Sequence, residues 1–178
     1  IRTRLVGSEM CIRDSFYSAD TSSIYTSDVS GTDDDAAGNT AYGYQAMDAI
    51  TTGDNNAAFG ASALGANTTG SHNTGIGREA LRDNTTGSGN IALGQNAAAV
   101  NTTGTRNTAI GYQAYKASDT ENDNIAIGYQ AMTTNTAGGQ YNIAIGNYAA
   151  DALTSGDSNI AIGHNVASNL SSGSGNVA

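Results

Sequence analysis

Proline is absent from this 178-residue sequence, and cysteine occurs once, at Cys11. A single cysteine excludes a disulfide within the chain, and the lack of proline leaves each peptide N–H available for a hydrogen-bonded ladder. Charge is scarce as well, because charged residues make up 13% of the chain and the net charge is −9. An acidic surface disfavours nucleic acids and anionic membranes as partners. No apolar run approaches the roughly 20 residues of a membrane-spanning helix, so we expect no direct membrane insertion of this fragment.

The sequence instead carries a repeat that is marked by asparagine. The asparagines follow one another at intervals of 17 residues, except that Asn142 follows Asn124 by 18. Each complete copy also has a glycine four residues after its asparagine. The resulting ladder consists of Asn39, Asn56, Asn73, Asn90, Asn107, Asn124, Asn142 and Asn159, with Gly43, Gly60, Gly77, Gly94, Gly111, Gly128, Gly146 and Gly163. A short, fixed period is typical of a solenoid, in which each repeat forms one coil.

The length of the repeat favours a coil built from β-strands. Helical repeats need roughly 33 to 47 residues, whereas these copies begin with a short apolar alternation. In the copy that starts at Asn142, Ile143 and Ile145 share one face and Ala144 lies on the other. If the asparagine is position 1, glycine at position 5 ends this strand. We expect a second short strand to begin at positions 8 and 9, as at Ala131–Met132, and an Asn-Thr-Thr-Gly turn at positions 12 to 15 to close the coil.

The predicted fold is therefore all-β: a parallel β-solenoid, or β-roll, with a 17-residue coil. Coils would stack about 4.8 Å apart, and the asparagine amides would hydrogen-bond from coil to coil. We expect alanine at position 8 to let two backbones approach, and the extra residue near Gly138–Gly139 to bulge outward without breaking the register. The large apolar residues at position 4 are expected to form one continuous buried stripe: Tyr42, Phe59, Ile76, Leu93, Ile110, Ile127, Ile145 and Ile162.

Three segments follow from the extent of the repeat. Residues 1–15 do not share it, and residues 6–15 resemble a translated sequencing adapter, so this segment is interpreted as foreign to the natural chain. The alternative is a natural N-terminal arm. Residues 16–38 form a degenerate first coil or a linker. Residues 39–178 form a β-roll of eight full coils, and Asn176 opens a ninth that stops after three residues. An open coil edge leaves backbone groups unpaired, so we expect a fragment whose anchor lies elsewhere.

The sequence predicts no enzyme. His72 and His164 occupy different coil positions and lie more than five coils apart, about 25 Å at the coil spacing, so they cannot share a triad or a metal. Asp119, Glu121 and Asp123 alternate where one copy has lost its second glycine, and on a strand they would share a face that could hold a cation. Carboxylates of this kind more often face water. We therefore predict no catalytic residue, no metal site and no cofactor.

Tyrosine provides the best candidate for surface contact. Tyr44, Tyr112 and Tyr129 occupy position 6, and each is followed by glutamine. Tyr112 and Tyr129 belong to neighbouring coils, so they could form an aromatic surface for a sugar or a protein partner. The alternative is that these rings pack along the stack or in a seam between chains.

Paired threonines at positions 13 and 14 indicate a further class of function. The pair recurs in four consecutive coils, which is similar to the threonine arrays of ice-binding solenoids. Those arrays need Thr-x-Thr, whereas adjacent threonines on a strand point to opposite faces. Turn chemistry explains the pairs more simply. The paired threonines are Thr51-Thr52, Thr68-Thr69, Thr85-Thr86 and Thr102-Thr103.

The phrase Asn-Ile-Ala-Ile-Gly-Tyr-Gln-Ala-Met at residues 124–132, with its relatives across residues 39–178, resembles the head repeats of trimeric autotransporter adhesins. Similar arrays occur in phage-like tail fibres and in bacterial surface proteins that end in a chaperone domain. The resemblance implies a left-handed β-roll, assembly as a homotrimer, and display at the cell surface. This repeat is longer than is usual in the family, and the family's neck, stalk and membrane anchor are not in this sequence.

On this resemblance we expect an extracellular adhesion protein fragment that presents its β-roll head to host or environmental surfaces. Its partners would be two further copies of itself and a surface receptor or glycan that the sequence does not identify. The protein would be anchored to an outer membrane through other regions, or would belong to a virion. Two alternatives stay open: a phage tail-fibre shaft, and a monomeric solenoid that binds ice or a polysaccharide.

Overall fold

The computed structural model describes residues 24–25, 36–134 and 138–178. Within these ranges the chain forms nine short strands and no helix. Residues 1–15 and most of 16–38 lie outside the described residues, so their interpretation stays a prediction. The strands are β1 (Ile24–Tyr25), β2 (Thr40–Tyr42), β3 (Ala57–Phe59), β4 (Thr74–Ile76), β5 (Ile91–Leu93), β6 (Thr108–Ile110), β7 (Ile125–Ile127), β8 (Ile143–Ile145) and β9 (Ile160–Ile162).

The strands form one parallel sheet in which each strand pairs with the next in sequence, from β1 to β9. Each coil therefore adds one strand, and equivalent residues lie side by side: Ala58 pairs with Gly75, and Ala92 with Ala109. At the start of the sheet, Ile24 lies beside Thr40. The predicted all-β parallel solenoid with a 17-residue coil is confirmed.

The middle residue of each strand points into the coil, and its two neighbours point outward. In β7, for example, Ala126 is buried while Ile125 and Ile127 are partly exposed. These buried residues, which are alanine at position 3 in all coils but one, face the alanines of position 8 and larger side chains of position 9. These larger side chains, all fully buried, are Met47, Leu64, Leu81, Tyr115 and Met132. The core is therefore a narrow channel in which small residues on the strand side meet large ones on the turn side.

The prediction that the position 4 column is buried is wrong. These side chains form a continuous column, but it lies on the outer face, where Tyr42 is 65% and Ile162 is 58% exposed. The physical reason is the width of the coil. Even at Gly75, a Cβ would lie only 3.3 Å from Cγ of Leu64. Alanine is the largest residue that the inner strand position accepts, so strand alternation sends the bulky residues of positions 2 and 4 outward.

The prediction of a second strand at positions 8 and 9 is also wrong. Positions 6 to 11 form consecutive turns, in which positions 7 and 9 adopt left-handed conformations, as at Gln130 (φ 52°) and Met132 (φ 48°). Within the coil the N–H of Ala131 donates to Gly128, and the N–H of Met132 donates to Ala149 in the next coil at 2.9 Å. Left-handed conformations cost a non-glycine residue about 1–2 kcal/mol, and here the bonds between coils hold them in place.

The extra residue leaves the stack in register, as predicted. Ile125 pairs with Ile143 and Ile127 pairs with Ile145, across the 18-residue step. Between coils, the N–H of Tyr129 donates to Oδ1 of Asn147 at the 18-residue offset of the longer coil, whereas the N–H of Gln140 donates to Oδ1 of Asp157 at the 17-residue offset. The insertion therefore lies between Tyr129 and Gln140.

Among the described residues, no helix has the length and apolar character that crossing a membrane requires.

Candidate functional site

The asparagines of position 1 form a buried ladder that joins every coil to the next. The side-chain oxygen of Asn39 accepts the main-chain N–H of Asn56 at 2.8 Å, and its Nδ2 donates to Gly53 O in its own coil at 2.8 Å. The same pair of bonds recurs along the stack, and the ladder still operates where Asn176 donates to Asn159 Oδ1. Because both polar atoms of each buried amide are used internally, this ladder is structural and does not bind a ligand.

The glycines of position 5 allow neighbouring coils to approach closely. Gly43 has φ +139°, and a Cβ on it would lie 2.6 Å from the carbonyl carbon of Gly60. Conformation and space therefore both require glycine there. These residues are also structural.

A second asparagine ladder occupies position 12, which the sequence pattern had indicated only as a turn. Nδ2 of Asn84 donates to Oδ1 of Asn67, and Nδ2 of Asn101 donates to Oδ1 of Asn84, each at 2.9 Å. The ladder ends at the next coil, where Ser118 bonds to Tyr115 O instead. Oδ1 of Asn101 is consequently buried without a hydrogen-bond partner. The recurrence of asparagine at intervals of 17 was the available signal for this ladder.

The paired threonines divide into an inner and an outer row. In the first row the hydroxyl of Thr51 donates to Thr68 O at 2.9 Å, and that of Thr68 donates to Thr85 O at 3.0 Å. The second row, which includes Thr52 and Thr69, is exposed. The hydroxyls of the first row are thus occupied by bonds between coils, and only one threonine row faces solvent in these coils.

The three acidic residues that the sequence placed on one face do not come together. Glu121 is buried, and its carboxylate accepts the main-chain N–H groups of Asp119 and Thr120 at 2.8 and 3.1 Å. Asp123 instead pairs with Arg106, whose Nε and Nη2 donate to it at 2.6 and 2.7 Å. These hydrogen bonds lower the pKa of Asp123 and raise that of Arg106. Among the described residues, no group of three His, Cys, Asp or Glu side chains could hold a metal.

The tyrosines of position 6 do form an aromatic row, but only in the second half of the solenoid. The rings of Tyr112 and Tyr129 stack at 5.3 Å with 14° between their planes. Tyr148 meets Tyr129 edge-on at 5.3 Å, and His164 continues the row at 6.3 Å from Tyr148. Tyr148 was not predicted to join this row, because it stands at position 7, one place later than the others. Partial burial, with the neighbouring Tyr148, raises the pKa of Tyr129.

Tyr44 stands apart from this row. The next coil has Ala61 at the equivalent position, and within the described residues Tyr44, which is 73% exposed, makes no contact with another ring. Tyr112 and Tyr129 are 39% and 40% exposed, and their stacking occupies the ring faces that point at each other. The structure therefore separates the three candidate contact residues into a stacked pair, Tyr112 and Tyr129, and the exposed Tyr44.

The outer face of the sheet carries a continuous apolar stripe, which is the position 4 column from Tyr42 to Ile162. Position 2 borders it with Thr, Ala or Ile, and neither position holds a charged residue in any coil. Contiguous exposed apolar patches of more than a few hundred Å² are rare on monomers and mark interaction surfaces.

Comparisons of the chain with protein-family models, with curated proteins and with solved structures found no significant match. We therefore infer function from the geometry of the coil and from the repeat itself.

Proposed function

We propose that this chain is a rod-forming part of an extracellular adhesion protein, in which three copies pack along the apolar stripe and present their turn faces to host or environmental surfaces. The observation that carries the proposal is the stripe. It runs along the whole rod, on the side opposite the turns, and its residues are as bulky as core residues while lying outside the coil.

The area of the stripe supports association with further copies. Eight side chains, each roughly half exposed, present on the order of 600 Å² if a large apolar side chain offers about 150 Å² or more. A stable interface buries about 800 Å² on each partner, and the adjoining position 2 residues supply the remainder. Two copies in register would have the same coil spacing, so each apolar side chain of the stripe would meet its counterpart at every coil. The number three rests on the resemblance to adhesin heads.

The turn side supports a role in contact with a surface. Positions 6, 7, 10 and 17 vary from coil to coil, while the ladder positions stay constant. A stiff frame that carries variable side chains at a fixed spacing is suited to recognition. Display outside the cell, or on a virion, follows from the resemblance.

Light scattering coupled to size exclusion tests this proposal on the full chain over a concentration series. We expect a trimer, and we expect Ile145→Asp on the stripe to give a folded monomer. Tyr44→Ser on the turn side is the control and should remain trimeric. Binding of the trimer to cells then tests adhesion. A folded monomer at every concentration, or a trimer that Ile145→Asp does not disturb, would contradict the proposal.

A phage tail-fibre shaft would use the same stripe and the same trimer, and would differ in carrying no receptor contact on the turn side. A monomeric solenoid is the alternative that a monomer result would favour. For ice binding, the inner threonine hydroxyls are already bonded within the stack, so thermal hysteresis is expected to be absent.

A further inference from the structure

We propose that the turn side carries a binding groove for one uncharged sugar residue of a glycan, centred on the second coil, residues 56–72. The groove has a volume of about 380 Å³, and its polar walls include Gln45, Asp48, Arg82 and Asp83. This inference rests on the proposed function, because it names the partner class of an adhesion surface.

The groove exists because one coil has small residues where its neighbours have large ones. Gly65 stands between Asp48 and Arg82 at position 10, and Ser62 follows Gln45 at position 7. The two walls are two coil spacings apart, about 10 Å. A notch of this width and depth admits one pyranose ring with its hydroxyls directed at the walls.

The far wall is held rigid by an ion-pair cluster. Nε of Arg82 donates to Oδ1 of Asp83 at 2.7 Å, and its Nη1 donates to Oε2 of Glu79 at 3.3 Å. The hydrogen bonds to Asp83 raise the pKa of Arg82, so the guanidinium stays charged. Planar groups fixed in this way match pairs of neighbouring hydroxyls and lose little side-chain entropy on binding.

An exposed aromatic residue lies next in sequence to the near rim. Tyr44 immediately precedes Gln45, a lining residue, and its carbonyl accepts the N–H of Ser62 at 2.8 Å. Its side chain is 73% exposed, and the next coil has Ala61 at the position of Tyr44. The C–H face of a sugar packs on such a ring while its hydroxyls reach the polar wall, in the way that amphipathic aromatic residues serve as anchors elsewhere.

The charge of the groove selects the class of sugar. Three carboxylates, those of Asp48, Asp83 and Glu79, stand against the two guanidiniums of Arg82 and Arg78, which leaves an excess of one negative charge. A local excess of negative charge repels sialic acids, uronic acids and sulfated sugars. Neutral hexoses and N-acetylhexosamines carry no such penalty and offer both donors and acceptors.

An array of neutral, sialylated and sulfated oligosaccharides, probed with the full chain, tests the proposal. We expect binding to neutral members alone, followed by calorimetry on the best of them. Gly65→Thr fills the groove with a residue that the sixth coil already has at this position, Thr133. Tyr44→Ser removes the ring. Each change should weaken binding about tenfold or more, as the loss of a contact anchor does.

Ser168→Thr is the matched control, because it makes a similar change at the same position of the eighth coil and should leave affinity unchanged. Circular dichroism checks that Gly65→Thr remains folded. If it does not, Tyr44→Ser still tests the inference, because Tyr44 is exposed and its replacement should not affect folding. Binding confined to acidic glycans, unchanged affinity in Tyr44→Ser, or no binding to any neutral glycan would overturn the inference. Cell adhesion by a trimer that ignores both changes would overturn it and leave the proposed function standing. If the chain is instead a monomer that does not adhere to cells but binds glycans through the groove, the inference stands and the proposed function is overturned.

Discussion

The carboxylate of Glu121 accepts the main-chain N–H of Gly138 at 3.0 Å, and Gly138 belongs to the next coil, which has 18 residues. Elsewhere in the described coils position 15 is glycine, and at Gly53 a Cβ would overlap the carbonyl oxygen of Gly70 in the next coil. Glu121 escapes this overlap because the next coil is one residue longer at that corner. The loss of glycine at position 15 and the insertion of one residue in the next coil therefore compensate for each other.

Glu121→Gly restores the repeat pattern, yet we expect it to destabilise the fold. The partly buried N–H groups of Asp119, Thr120 and Gly138 would lose their charged acceptor, and a hydrogen bond to a charged group contributes about 1.5–3 kcal/mol. A loss of about 2 kcal/mol in the free energy of unfolding, measured by denaturant titration, is the expected result.

Deletion of Gly138 should also destabilise the chain, since it closes the space that Glu121 occupies. Combining the deletion with Glu121→Gly rebuilds a regular 17-residue coil, so the double variant should be more stable than the sum of the two changes predicts. Strict additivity in this cycle would show that the two irregularities are independent.

Asn90→Ala tests the asparagine ladder in the middle of the stack. The change removes the acceptor of Asn107 N–H and the donor to Gly104 O, both buried. We expect the free energy of unfolding to fall by about 3 kcal/mol. Asn176→Ala at the exposed end of the stack is the control and should cost much less. Equal losses at both sites would mean that burial does not set the value of these bonds.

Gly94→Ala tests the close approach of coils at position 5. An added Cβ would lie 2.5 Å from Gly111 O, and φ is +132°. Gly138 also has a positive φ, +93°, but a Cβ there would meet nothing within 4 Å. Gly138→Ala should therefore show backbone strain alone, about 1 kcal/mol, and Gly94→Ala should lower the melting temperature considerably further. Similar melting temperatures for the two variants would argue against steric exclusion between coils.

Asp123 should titrate below the usual range of an aspartate, because Arg106 donates two hydrogen bonds to it. A lowered pKa in the folded state means that the pair stabilises the fold above the ordinary aspartate pKa and that this contribution disappears as pH falls through the lowered value. The pair is exposed, so the contribution is small and salt weakens it. NMR titration of the Asp123 carboxyl measures the shift, and Arg106→Gln should return the pKa to its ordinary value. An unchanged pKa in that variant would rule out this cause.

Periodicity alone was enough to predict the parallel strands, the register and the asparagine ladder, because each follows from the 17-residue spacing. It did not reveal which strand face is inside. Alternation defines two faces of each strand, and the larger side chains, such as isoleucine, are the ones expected to be buried. The interior opposite Leu64 is too narrow for them, however, and accepts only alanine or glycine. The turns escaped prediction for a different reason, since Gln130 and Met132 are left-handed without being glycine or asparagine.

The candidate site was also predictable only where it follows from the repeat spacing. The spacing of Tyr112 and Tyr129 foretold their contact, and the structure adds that they stack on each other. The groove over Gly65 needed three-dimensional information, because only the turn geometry shows that positions 7 and 10 line one cavity.

The asparagine ladder also gives the rod a direction of assembly. Each asparagine side-chain oxygen accepts a main-chain N–H from the following coil. A coil therefore completes its hydrogen bonds only when the next coil has folded onto it, and the solenoid is expected to form coil by coil. Pulled from one end, such a stack should release one coil at a time, each step freeing about 60 Å of extended chain. A tether built this way would yield in small, repeated increments under load and dissipate a sudden pull before its far end is disturbed.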